Sequence, residues 1–258
     1  MNQPRAIVPF ADGTNCDGET LHALELAGGV PERVHVNQLR AGSRKLADYQ
    51  ILVIPGGFSY GDDVASGKIL AVELISFLRG QLQAFVAAGK LVLGICNGFQ
   101  VLAKTGLLPF GHLGKQTVTL TDNASGHFEC RWVDLAVPES PCLWTKGFQG
   151  TTISLMVAHG EGRFFARSEE LETVEGANLV ALRYAFNGRA TPVYPYNPNG
   201  SLLGIAGVCD RTGRIFGLMP HPERFVRHTQ HPSWRRMPDL EPHGLPFFCN
   251  AVRAAADL

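Results

Sequence analysis

The sequence has no excess of charge. Its 23 Lys and Arg are matched by 23 Asp and Glu, which leaves no electrostatic case for nucleic acid or an anionic membrane as partner. No apolar run reaches membrane-spanning length. The first residues, Met1 to Arg5, lead directly into a strand-like segment and do not read as a signal peptide. The six cysteines, at 16, 96, 130, 142, 209 and 249, include no C-x-x-C pair. That argues against a zinc ribbon or a disulfide framework and suits a reducing, cytoplasmic setting. Neither a G-x-x-x-x-G-K-[ST] phosphate loop nor a G-x-G-x-x-G fingerprint is present. Nothing here reads as an ATP site, so an energy-requiring step fed by this chain would need another chain. There is no repeat, low-complexity stretch or linker.

What is present is a globular composition: 258 residues, 45% hydrophobic and 18% charged. A chain this long buries about three-quarters of its unfolded surface and needs no staples. We expect one domain over residues 1–258, with the tail 225–258 packing on it. Ala6–Phe10, Arg33–Val36 and Ile51–Ile54 read as strands. Between the first two lies a helix with Leu21, Leu24, Leu26 and Ala27 on its apolar face, capped by Asn15 or Asp17 and ended by Gly28-Gly29. Two apolar helical stretches follow, Ile69–Leu78 and Leu82–Ala88. Continuous apolar strands alternating with helices predict an α/β fold: a mostly parallel open sheet with helices on both faces. After Leu108-Pro109 the strands become short and partly alternating (Gln116–Leu120, Phe128–Val137, Ile153–Val157, Leu179–Tyr184), which predicts an added antiparallel region. The polar loop from Ala158 to Phe164 interrupts it, and Asn187–Ser201 is a long loop. Leu203–Val208 and Arg214–Met219 read as a hairpin turning at Asp210–Gly213.

The chain is organised around Leu91–Leu102. An apolar strand-like run, Leu91–Leu93, is followed by Gly94-Ile95-Cys96-Asn97-Gly98, and then by a helix carrying Phe99, Val101 and Leu102. This is a G-x-nucleophile-x-G elbow with cysteine at its tip. Small neighbours let the chain double back through a strained nucleophile. The helix N-terminus favours a thiolate at Cys96, and the Asn97 N–H points where an oxyanion can develop. Taken alone, G-x-C-x-G also fits a buried structural cysteine; the flanking strand and helix favour the nucleophile.

Two further stretches complete a candidate site. Pro55-Gly56-Gly57 follows the strand Ile51–Ile54, on the sheet edge where open α/β folds bind ligands. The Gly57 N–H is a candidate second oxyanion donor. In Met219-Pro220-His221-Pro222-Glu223-Arg224, the proline keeps His221 extended, so His221 and Glu223 point to the same side and form a base with its orienter. His228, His231 and His243 lack companion Cys or carboxylate spacing, so we assign no metal.

These segments resemble class-I (triad) glutamine amidotransferases. The likeness is closest to the glutaminase subunits of phosphoribosylformylglycinamidine synthase. Gly57-Phe58-Ser59-Tyr60-Gly61-Asp62, Ile95 to Gln100, Ala158 to Phe164, Asn197 to Ser201 and Met219 to Arg224 carry it, and it runs from Gly13 nearly to the tail. The resemblance implies a flavodoxin-like fold and a Cys96–His221–Glu223 triad that hydrolyses L-glutamine through a γ-glutamyl thioester. Gly57 and Asn97 would form the oxyanion hole. Gln100 and Phe58 would bind substrate. No cofactor is implied in this chain. ATP and Mg would belong to a partner synthetase subunit that takes the ammonia to convert phosphoribosylformylglycinamide to phosphoribosylformylglycinamidine, with or without a small accessory subunit. Thr14 and Asn15 would line the substrate or ammonia-exit side, unless they only cap the first helix. His159 and Glu161 would face the synthetase or the ammonia path. An amidotransferase serving another synthetase, or a non-catalytic regulatory relative, is the alternative; the latter would be expected to lose Cys96, His221 or Glu223.

Overall fold

The computed structural model describes residues 3–258. Strand β1 (Arg5–Phe10), helix α1 (Asp17–Leu26), strand β2 (Val30–His35), the short helix α2 (Val36–Arg40) and strand β3 (Ile51–Ile54) open the chain. Helices α3 (Lys68–Phe77) and α4 (Arg79–Ala87) lead to β4 (Leu91–Ile95) and α5 (Asn97–Thr105). Then come β5 (Val118–Thr121), β6 (Glu129–Ala136), β7 (Thr152–His159), β8 (Arg163–Ala166) and α6 (Ser168–Gly176). The chain continues through β9 (Val180–Phe186), β10 (Arg189–Ala190), β11 (Ile205–Cys209), β12 (Ile215–Leu218) and α7 (Leu245–Ala255).

Ten strands form one sheet, in the order β2-β1-β3-β4-β12-β11-β9-β6-β7 with β10 paired to β9. The first five run parallel. From β11 onward the pairing is antiparallel. Residue patterning explains the division. β3, β4 and β12 are buried at every position, as strands covered on both faces must be. β7 alternates buried and more exposed residues along its length, so one face packs and the other is wetter. β5 and β8 form a separate ribbon. The fold is therefore an α/β sheet, parallel across its first five strands and carrying the antiparallel extension that the sequence predicts.

Several boundaries differ from expectation. β2 begins at Val30, because its parallel register with β1 starts at Arg5↔Val30 and carries Pro31 and Glu32 into the sheet. The N-cap of α1 is Cys16, with no side-chain cap. Neither Asn15 nor Asp17 caps this helix; Asp17 lies in its first turn and pairs with Arg33. Helix α6 carries only Leu171 and Val174 as large apolar residues, too few to mark it by periodicity. Glu169 and Glu170 sit in its first turn, where the helix dipole favours acids. Ala158 and His159 close β7, and Arg163–Ala166 form β8, so the expected loop shrinks to a tight connection. The hairpin turn is as expected: Asp210 accepts from the Ile215 N–H at 2.9 Å and the Thr212 hydroxyl at 2.7 Å.

In the tail, Phe247, Phe248 and Ala251 of α7 are buried in the core. The segment before α7 passes close beneath the turn at residues 222–225, with the Gly244 N–H donating to the Phe225 carbonyl at 2.8 Å. No single helix among the described residues is long and apolar enough to cross a membrane.

Candidate active site

The sheet register assembles the site. Ile54 pairs with Gly94, and Ile95 pairs with Leu218. The segments leaving β3, β4 and β12 therefore emerge side by side at the C-terminal edge. They carry Gly56-Gly57, Cys96 and His221.

Cys96 has φ 51° and ψ −105° between β4 and α5, a backbone state that is costly for a residue with a Cβ. The flanking glycines permit it. A Cβ on Gly98 would lie 2.0 Å from the Ile54 carbonyl oxygen, and one on Gly94 would lie 2.5 Å from the Gly98 carbonyl oxygen. The elbow thus packs backbone on backbone at positions only glycine can fill. The Cys96 N–H donates to the Leu218 carbonyl at 2.8 Å, and its sulfur lies 3.6 Å from the Ala158 carbonyl. Asn97 opens α5, so its N–H has no intrahelical acceptor.

His221 is extended and is followed by a 3₁₀ turn, Pro222–Arg224. The expectation of a continuous extended segment is corrected here. The turn, and not strand alternation, brings Glu223 to the ring, with His221 Nδ1 and Glu223 Oε1 2.6 Å apart. The His221 N–H donates to the Met156 carbonyl at 2.9 Å, which pins the backbone to β7. Burial opposes charge on the imidazole. The Glu223 carboxylate, helped by the Cys96 and Cys16 thiols, outweighs it and holds the His221 pKa well above the ordinary 6.5. His221 Nε2 and Glu223 Oε2 are buried without hydrogen-bond partners, so Nε2 is free to exchange a proton.

A cavity of about 240 Å³ opens over Cys96. It is lined by Asn15, Cys16, Gly57, Phe58, Phe128 and His221, among others. Phe58, expected at the substrate, stands on its rim beside Phe128, ring centroids 6.4 Å apart. Gly57 has φ 140°, and a Cβ there would lie 2.7 Å from the Asn15 nitrogen. Its neighbours engage the loop before α1: the Phe58 N–H donates to Gly13 and the Cys16 N–H donates to Gly56. Thr14 bridges to Gly57, so Thr14 and Asn15 brace and border the cavity. The thiol of Cys16 donates to Asn15 Oδ1 at 3.2 Å.

Gln100 departs from its expected place. It is 3% exposed, and its side chain bonds to the Asn97 side chain at 3.0 Å and to the Glu161 carbonyl. In this structure it holds the wall behind the elbow and does not line the cavity over Cys96. Asn97 also donates to Asp62 at 3.1 Å and accepts from the Ser59 hydroxyl at 2.6 Å. Asp62 in turn accepts from the Ser66 hydroxyl and the Gly67 N–H. The Glu161 carboxylate, half-buried, accepts from the Ser66 N–H. The loop 59–67 is therefore tied to the first turn of α5 by polar bonds that spacing alone does not reveal.

His159 does not face outward. It is 3% exposed and contacts the Asn123 and Asn199 side chains at 3.1 and 3.4 Å. Of the two expected settings, the synthetase face and the ammonia path, this burial is compatible only with the second. Burial, with His221 nearby, pushes its pKa down to about 3. Asn199 also bonds the Tyr184 hydroxyl and the Ser201 N–H, completing a polar cluster behind the elbow.

Cys16, His221 and Glu223 place a sulfur, a nitrogen and an oxygen within 4.8 Å of one another. A metal there would face the Arg224 guanidinium, which donates to Cys16 Sγ at 3.1 Å. His228, His231 and His243 go to separate contacts, with the Met237 carbonyl, the Trp132 ring and the Ser154 N–H respectively. Cys16 and Arg224 were not singled out from the sequence, where they are only members of longer motifs.

The model of the CobB/CobQ-like glutamine amidotransferase domain matches residues 3–253. The phosphoribosylformylglycinamidine synthase subunit PurQ of Dehalococcoides mccartyi is 46% identical, covering 99% of both chains. That of Treponema denticola is also 46% identical, covering 87% of this chain and 89% of its own. Among solved structures, one described as PurLQS from Thermotoga maritima superposes with a TM-score of 0.76 at 33% identity, covering 98% of this chain and 99% of the other. The chain belongs to the glutamine amidotransferase family, in the branch of the phosphoribosylformylglycinamidine synthase subunit PurQ.

Proposed function

We propose that this chain is the glutamine-hydrolysing subunit of phosphoribosylformylglycinamidine synthase and that Cys96, His221 and Glu223 carry the hydrolysis. One observation supports this above the others. A buried His–Glu pair adjoins a cysteine held in a strained elbow at the floor of a cavity.

The steps follow from the chemistry of these groups. Cys96 Sγ, its proton already held by His221 Nε2, attacks the side-chain amide carbon of glutamine. Negative charge gathers on the amide oxygen, where the N–H groups of Gly57 and Asn97 receive it; each such donor is worth on the order of 10²–10³ in rate. Collapse breaks the C–N bond, and His221 gives its proton to the departing nitrogen, releasing ammonia and leaving a γ-glutamyl thioester on Cys96. His221 then takes a proton from water, which attacks the thioester and frees glutamate and the thiol. Glu223 keeps Nδ1 protonated and the ring oriented throughout. Phe58 borders the glutamine.

Ammonia is the product of use. The partner synthetase subunit takes it to aminate phosphoribosylformylglycinamide, and ATP with Mg²⁺ belongs to that partner. Glutamate release from glutamine, measured with and without the synthetase subunit and its substrates, tests the reading. Activity that requires Cys96 and rises with the partner is expected. A complex that uses free ammonia but never glutamine would overturn it.

A further inference from the structure

The hydrolysis described above uses one thiol, yet a second lines the same cavity. Cys16 is 1% exposed. Its sulfur accepts from Arg224 Nη2 at 3.1 Å and donates to Asn15 Oδ1 at 3.2 Å. It lies with the His221 ring and the Glu223 carboxylate in a cluster no more than 4.8 Å across.

Gly56 shows how closely the parts converge. A Cβ at that position would meet His221 Cε1 at 2.9 Å, Cys16 Sγ at 3.2 Å and Cys96 Cβ at 3.5 Å. Imidazole, second thiol and elbow therefore surround the space that this glycine leaves open. Glu223 holds the ring by the single bond to Nδ1, and Nε2 has no hydrogen bond of its own. Glu223 orients the ring through Nδ1, and the sulfur of Cys16 stands beside it in the same cluster, where it can limit the ring's residual movement about that bond.

We propose that Cys16, backed by Arg224, is a positioning residue for His221: its sulfur flanks the imidazole and keeps Nε2 directed at Cys96. This inference rests on the hydrolytic reading above. Arg224 anchors the sulfur from outside, and Asn15 anchors it from the cavity rim. Cys16 therefore stays in place while the ring exchanges its proton with Cys96 and with the leaving nitrogen. The titratable and charged groups facing the ring are Glu223 and Arg224 from its own turn, Cys96 from the head of α5, Cys16 from the head of α1, and His159 from β7. Cys16 adds to the groups that favour the protonated ring.

The test is glutamate release by the complex with the synthetase subunit, read as kcat and KM across pH, for wild type, Cys16→Ala, Cys16→Ser and Arg224→Met. Cys16→Ala is expected to lower kcat about tenfold, the lower end of what an orienting partner of a working histidine contributes, with KM for glutamine unchanged. Its alkaline limb, where His221 loses its proton, is expected at lower pH than in wild type. Cys16→Ser, which keeps a small donor and acceptor, is expected to recover most of kcat. Arg224→Met lies at a partly exposed position, so it removes the anchor without opening the core; kcat falls and KM holds.

The proposal is overturned if Arg224→Met and the Cys16 variants that fold match wild type in kcat and in the alkaline limb. It is overturned equally if only KM rises, since Cys16 would then be touching substrate. A wild-type complex that cannot use glutamine would instead overturn the hydrolytic reading itself.

Discussion

His221 Nδ1 and Glu223 Oε1 stand 2.6 Å apart, with side chains 2% and 0% exposed. So short a bond in so dry a place keeps the imidazole charged more readily than water would, although burial alone works against the charge. Glu223→Gln keeps the shape and removes the charge. We expect kcat for glutamine hydrolysis to fall by about 10²–10⁴-fold. Stability follows as well. The folded His221 pKa lies above its ordinary 6.5, so the pair's stabilisation is complete below that value and is lost as pH rises through the folded one. Urea midpoints of the wild type should fall from neutral to alkaline pH, and those of Glu223→Gln should stay flatter.

His159 has the opposite sign. Its folded pKa is pushed down to about 3, while the unfolded chain takes up a proton near 6.5. Between those values the unfolded state binds more protons, so stability falls on acidification by about 1.4 kcal/mol per pH unit from this residue. His231 and His243, also lowered by burial, add to the slope. Denaturation of His159→Gln across this range should show a shallower acid slope than wild type. An unchanged slope would show that His159 does not titrate on unfolding.

Two glycines beside the elbow separate stability from activity. Alanine at Gly98 would drive its Cβ into the Ile54 carbonyl. Backbone there cannot step aside, and we expect a loss on the order of 3 kcal/mol. Alanine at Gly56 meets the side chains of His221 and Cys16 instead. These can shift, so Gly56→Ala should fold with a small loss in Tm. A displaced ring should still lower kcat, by about 10²-fold for a shift near 1 Å. Thermal melts and glutamate release on the two variants make the comparison.

Asp62 gathers three donors: the Ser66 hydroxyl at 2.9 Å, the Gly67 N–H at 3.2 Å and Asn97 Nδ2 at 3.1 Å. Asp62→Ala leaves the buried Asn97 short of one partner, at a cost of about 1–3 kcal/mol. The loop 59–67 should then be cut by protease under native conditions where the wild type is not. Asp62→Asn keeps an acceptor and tolerates the positive φ at this position, so its loss should be smaller.

The elbow, the paired glycines and the His-Pro-Glu segment were legible because each places a rare residue type in a backbone that few sequences permit. The parallel strands were legible from unbroken apolar runs such as Ile51–Ile54. Helix α6 was not, because its apolar residues are few; it is held by contacts with β8 and by the ion pair of Glu175 with Arg183 of β9. The surroundings of Gln100 and His159 were hidden for a common reason. Both belong to motifs near the nucleophile, but their partners, Glu161 for one and Asn123 and Asn199 for the other, lie 36 to 61 residues away along the chain. Whether a polar side chain faces a cavity or braces its wall depends on such distant partners. Cys16 is the converse case: a residue with no local signal that the fold brings 208 positions to Arg224.

The central claim is that Cys96 carries the γ-glutamyl group. Rapid acid quench of the complex during turnover with glutamine, followed by mass spectrometry of the peptide bearing Cys96, tests it most directly. The account predicts a glutamyl adduct on Cys96 that is present in the wild type and absent from Cys96→Ala. Full glutaminase turnover by Cys96→Ala, or an adduct on Cys16 or Cys130 in its place, would contradict it.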